Sequence, residues 1–79
     1  MNTADRVRDP DLVAFGQTVR EARERAGKLA VPFSRELGIS RQHYTNIEAG
    51  LTRASNAVYW RIANALDLDP SSVLKDGAE

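Results

Sequence analysis

The chain has no cysteine, and only one histidine, one tryptophan and one methionine among its 79 residues. These scarcities exclude several classes of function. Without cysteine there is no disulfide framework and no Cys-based zinc site, a usage that fits a reducing cytoplasm. His43 is the sole histidine, so no His-Cys or His-His constellation can form. There is no G-x-S-x-G elbow, no glycine-rich phosphate loop, and no pair of carboxylates at metal-ligand spacing. We therefore expect no catalytic residues, no metal site and no cofactor. Long apolar runs are also missing. The opening "MNTADRVRDP" has no apolar stretch, so no signal peptide is expected, and no segment is long enough to span a bilayer. A chain of this size makes one small domain that buries roughly 60–65% of its unfolded surface. That leaves little volume for a deep pocket.

Net charge is missing too, because eleven basic residues balance eleven acidic ones. Its distribution is more informative. Over residues 28–53 the bases are Lys28, Arg35, Arg41 and Arg53, against Glu36 and Glu48. Over residues 67–79 the order reverses, with Asp67, Asp69, Asp76 and Glu79 against Lys75. A polyanion would find its place at the middle of the chain and be repelled by its end.

Helical signals fill the sequence, and no strand is expected. Residues 1–8 are polar, lack apolar periodicity and read as a flexible arm. Asp9-Pro10 opens a first helix with a capping carboxylate and a first-turn proline. Leu12, Phe15, Val19, Ala22 and Ala26 form its apolar stripe, and Gly27 its stop. A short second helix runs over residues 31–37, with Phe33 and Leu37 inward and Pro32 tolerated in the first turn. Gly38 ends it, Ile39 fills the turn, and Ser40 caps a third helix closed by Gly50. Ser55 caps a fourth, in which Tyr59, Ile62, Ala63 and Leu66 recur at helical spacing. Asp69-Pro70 repeats the cap-and-proline device and opens a fifth through Leu74. The expected architecture is all-α, a compact five-helix domain over residues 9–76 with a frayed end at 77–79. Trp60 lies off the stripe of the fourth helix, where it could cover the core edge or meet a partner subunit.

The stretch "ELGISRQHYTNIEAG" carries the functional signal. Two short helices joined by a glycine-containing turn make a helix-turn-helix unit, whose second helix enters the major groove of DNA. On a wheel, Tyr44 and Ile47 face inward, His43 sits at the border, and Arg41, Gln42, Thr45 and Asn46 form one outward face. Surface helices usually mix Glu and Lys, whereas this face is rich in donors and acceptors and poor in carboxylates. A guanidinium matches guanine N7 and O6, a carboxamide matches adenine N6 and N7, and the threonine methyl suits that of thymine.

The residues Phe33, Ser34, Leu37, Gly38, Ile39, Tyr44 and Ile47 occupy the core positions of a known motif. With "IEAG" (residues 47–50) and "LDLDPSSVL" (residues 66–74), the chain resembles the lambda-repressor-like (XRE) helix-turn-helix family of bacterial and phage regulators over residues 15–74. That resemblance implies base reading by Arg41, Gln42 and Asn46, with Thr45 beside them. It also implies backbone contacts from Thr52 and Arg53 in the following loop, with Ser40 and Arg35 added here. Arg23 and Glu48 match an ion pair that ties the first helix to the recognition helix. A polar phosphate anchor, often Gln, opens the first helix of the motif in that family. Here "KLAV" puts Leu29 and Ala30 in its place, which leaves Arg35, Lys28, Arg6 and Arg8 as candidate substitutes.

The implied function is a sequence-specific transcriptional regulator, a repressor or autoregulator. It would bind double-stranded DNA as a homodimer on a two-fold operator in a bacterial or phage-infected cytoplasm. With no sensor domain expected, control would come from concentration, degradation or a partner protein. Pro70, Val73 and Leu74 are the expected dimer contacts, on the acidic side away from DNA. The alternative is an antitoxin or interaction module whose main partner is another protein. Phage repressors, restriction–modification controllers and antitoxins all occur among small members of that family.

Overall fold

A computed structural model of the chain describes residues 9–69. They form four helices, α1 (Pro10–Arg25), α2 (Ala30–Leu37), α3 (Arg41–Glu48) and α4 (Asn56–Ala65), and no strand. The arm expected at residues 1–8, the fifth helix with Pro70, Val73 and Leu74, and the frayed end at 77–79 lie outside the described residues.

Local chemistry sets three of the four helix starts. The Asp9 carboxylate accepts from the N–H of Asp11 at 2.8 Å, with Pro10 in the first turn of α1. Ser40 Oγ accepts from His43 N at 3.0 Å to start α3, and Ser55 Oγ accepts from Val58 N at 3.2 Å to start α4. Each satisfies an amide that the helix itself leaves unbonded. The exception is α2, whose cap position holds Leu29 and makes no side-chain bond.

The turn between α2 and α3 depends on Gly38 at φ +77°, a left-handed conformation that costs a side-chain-bearing residue. Its N–H reaches Arg35 O, and the N–H of Ile39 reaches Ser34 O at 3.1 Å, which uses up the last carbonyls of α2. Arg61 of α4 donates to a further one, Leu37 O, at 3.1 Å.

The core consists of Val19, Phe33, Leu37, Tyr44, Ile47, Val58 and Ile62, with Phe15, Ile39, Leu66 and Leu68 packed at its edge. The rings of Phe33 and Tyr44 meet edge to face at 5.5 Å, locking α2 to α3. Phe15 and Tyr59, also 5.5 Å apart, join α1 to α4. Two expectations for the apolar faces need correcting. Ala26 is exposed, because α1 ends one residue earlier and Ala26 serves as its cap. Val58, outside the expected stripe of α4, is buried. Trp60 stands edge-on to Tyr59 at 5.6 Å yet keeps 47% of its surface exposed. No helix among the described residues is long and apolar enough to cross a membrane.

Candidate nucleic-acid interface

The third helix is held from two sides, by α1 and by α2. Tyr44 and Ile47 are the two residues of α3 that are buried, and the opposite side is largely open to solvent. That side carries Arg41, Gln42 and Thr45, all exposed, and the half-buried Asn46. Gln42 Nε2 donates to Asn46 Oδ1 at 3.1 Å across one turn. Arg41 makes no ion pair among the described residues, so its guanidinium is available. His43 is half-buried at the border of the two faces.

The flanking positions divide. Ser40 spends its hydroxyl on the cap but remains exposed. Thr52 is half-buried and Arg53 is exposed in the loop after α3. Arg53 reaches Asp9 only at 3.9 Å, with 76% of its side chain exposed. Arg35 is exposed on α2 and unpaired among the described residues. Leu29, where the family resemblance implies a polar phosphate anchor, is 72% exposed. Lys28 beside it is engaged elsewhere, bonding Glu36 at 3.3 Å with its ammonium 5.7 Å from the Phe33 ring centroid.

The only carboxylate of α3 is turned away from this face. Glu48 meets Arg23 of α1 in a forked contact, Oε2 to Nε at 2.7 Å and Oε1 to Nη2 at 3.4 Å. Arg23 Nη1 donates to Lys28 O at 2.8 Å, and the buried Tyr44 hydroxyl donates to Glu48 as well. The Glu48 hydrogen bond raises the pKa of Arg23 above its ordinary value, against the opposing effect of burial. Burial, followed by the bond to Glu48, pushes the Tyr44 phenol well above its usual range. A shallow cleft between α1 and α3 runs past these groups, lined by Arg20, Arg23, Glu24, Thr45, Glu48 and Ala49.

The helix-turn-helix arrangement is shared with known proteins. A family model described as helix-turn-helix matches residues 19–73. A solved structure of the restriction-modification controller protein C.AhdI from Aeromonas hydrophila superposes with a TM-score of 0.71. It is 32% identical to this chain, and the match covers 80% of this chain and 91% of that one. No match was found among curated proteins. The chain belongs to the XRE-type helix-turn-helix family.

Two glycines support this helix-turn-helix unit through close backbone contacts that the sequence reading does not assign to them. Gly16 is buried in α1 and faces the carbonyls of Ile47 and Glu48 in the last turn of α3. A Cβ placed there would come within 2.7 Å of the Glu48 carbonyl carbon, so the missing side chain lets the two backbones touch. Gly50 plays the same part at the next contact, where a Cβ would lie 2.6 Å from Val13 Cα. Only a stop was expected of Gly50, and nothing of Gly16. A glycine in the middle of an otherwise helical pattern is the one available hint of such an approach.

Proposed function

We propose that this chain is a sequence-specific transcriptional regulator that places α3 in the major groove of a two-fold operator as a homodimer. It would act as a repressor or autoregulator in the cytoplasm. The observation that carries this reading is the sequestration of Glu48. With the one acid of α3 bound to Arg23, the outward face offers Arg41, Gln42, Thr45 and Asn46 and no negative charge. Such a face tolerates phosphates on either side and can bond base edges between them. Ser40, Arg35, Thr52 and Arg53 are the candidate backbone contacts around it.

Dimerisation follows from the small number of those anchors. One unit would hold DNA weakly, whereas two on one duplex gain a large effective concentration. Asp67, Asp69, Asp76 and Glu79 concentrate negative charge over residues 67–79, which would be repelled by DNA and kept on the far side, where Pro70, Val73 and Leu74 are the proposed dimer contacts. The likeness to a restriction-modification controller favours a stand-alone regulator over an antitoxin. The exposed apolar residues Leu51 and Trp60 are what the second reading, a protein-binding antitoxin, has in its favour.

One pair of experiments separates the two. Gel-shift binding to the duplex upstream of its own gene, at several salt concentrations, should show a specific complex. Sedimentation should show a dimer, free or on that duplex. A monomer with no preference for any duplex would favour the protein-binding reading.

A further inference from the structure

Arg53, a candidate contact to the DNA backbone, faces a carboxylate of its own chain. We infer that Asp9 attenuates the grip of this protein on DNA by competing with the duplex phosphates for Arg53. The inference rests on the DNA-binding role proposed above and adds a residue at the start of α1 to it.

Backbone packing brings the two side chains together. Gly50 lies so close to α1 that a Cβ on it would fall 2.6 Å from Val13 Cα. The loop that follows, with Thr52 and Arg53, therefore runs beside the first turn of α1, where Asp9 is the cap. The Asp9 carboxylate has two tasks there. Its Oδ1 accepts from the N–H of Asp11 at 2.8 Å and starts the helix. Its Oδ2 lies 3.9 Å from Arg53 Nη2. That separation is too long for a hydrogen bond and makes a coulombic contact.

Which partner yields follows from how each is held. The cap ties the Asp9 side chain to the backbone. The Arg53 side chain is 76% exposed and makes no hydrogen bond among the described residues. Arg53 is thus the group that moves to a phosphate, and each such contact first gives up the attraction to Asp9. An exposed pair of this kind is weak, so the carboxylate tunes affinity by a few fold and does not switch it off. Phosphates carry no sequence information, so base preference is untouched. Non-specific binding, which is almost wholly electrostatic, is loosened along with specific binding.

The test is Asp9→Asn, because asparagine caps a helix about as well as aspartate does and carries no charge. Full-length wild type, Asp9→Asn, Arg53→Ala and the double variant are titrated at several salt concentrations. The targets are the duplex upstream of the chain's own gene and an unrelated duplex. Asp9→Asn should bind both about two- to fivefold more tightly, the range of one exposed ion pair. The salt slope should steepen by up to about one unit, because Arg53 then counts in full against a phosphate. The thermal midpoint should match that of wild type. In the Arg53→Ala background the gain should disappear. Asp9→Ala, which also loses the cap, should melt at a lower temperature yet still bind more tightly below its transition. Unchanged or weaker binding by Asp9→Asn would overturn the inference. So would a gain that persists without Arg53, which would mark Asp9 as repelling phosphates directly. Either result leaves the DNA-binding role intact. A wild type that binds neither duplex even at low salt would overturn that role, and this inference with it.

Discussion

Arg23 of α1 and Glu48 of α3 form a forked ion pair, 2.7 and 3.4 Å between heavy atoms, with side chains only 11% and 13% exposed. It ties the helix proposed to enter DNA to the longest helix described. It also removes the one negative charge from α3 that would face the phosphates. Removing one partner is costlier than the net value of the pair, because the other charge is left desolvated. Arg23→Ala should destabilise the fold by about 3 kcal/mol and weaken DNA binding with it. A double-mutant cycle with Glu48→Gln should give a coupling of about 1 kcal/mol or more, and a coupling under about 0.3 kcal/mol would mark the two as independent.

Gly16 makes an opposite demand on intuition. In an exposed helix, Gly→Ala stabilises by up to about 1 kcal/mol. Here the added carbon meets the backbone of α3, which has no flexible end to move aside. Gly16→Ala should therefore destabilise by about 1–3 kcal/mol, the usual cost of overpacking. Denaturant unfolding decides it, and a stabilised Gly16→Ala would show that α1 and α3 do not pack backbone to backbone.

The Tyr44 phenol, raised from its ordinary value of 10.0 by burial and then by Glu48, links stability to alkaline pH. The folded state keeps the neutral phenol, so its stabilisation is complete below about pH 10. It is lost as the pH climbs from the unfolded value towards the folded one. Urea midpoints should fall over that interval, and Tyr44→Phe should flatten part of the fall. Tyr59, raised chiefly by burial, accounts for another part. An unchanged alkaline slope in Tyr44→Phe would show that this hydroxyl is not buried against Glu48.

Helix starts were legible in the sequence because capping is local. Asp9, Ser40 and Ser55 each bond an amide two or three residues on. Gly38 was legible for the same reason. The apolar stripe of α1 was followed one step too far, to Ala26, because periodicity does not register where a cap turns the chain. The pairing of Arg23 with Glu48 came from family resemblance alone, since nothing in a spacing of 25 residues announces a contact. Gly16 stayed hidden because close approach is a property of two helices and leaves no periodic trace in one. The outward face of α3 was legible as a set of residue types. The contact between Gln42 and Asn46 within it needed coordinates.

Arg53 should behave differently from the face of α3. Its side chain is 76% exposed and its nearest carboxylate, Asp9, is 3.9 Å away, so the pair adds little to stability. Arg53→Ala should leave the unfolding free energy within about 0.5 kcal/mol of wild type. Binding to all DNA sequences should weaken alike, and the salt slope should fall by up to about one unit. A loss confined to the operator would place Arg53 among the base readers instead.

The most direct measurement is the ratio of operator to unrelated-duplex affinity for wild type and Asn46→Ala at matched salt. Asn46 is neutral and half-buried on α3, so its removal changes neither net charge nor core. If α3 reads bases, Asn46→Ala should lose about tenfold or more on the operator and nothing on the unrelated duplex, with the salt slope unchanged. Equal weakening on both duplexes, or no weakening on either, would contradict the placement of this face against base edges.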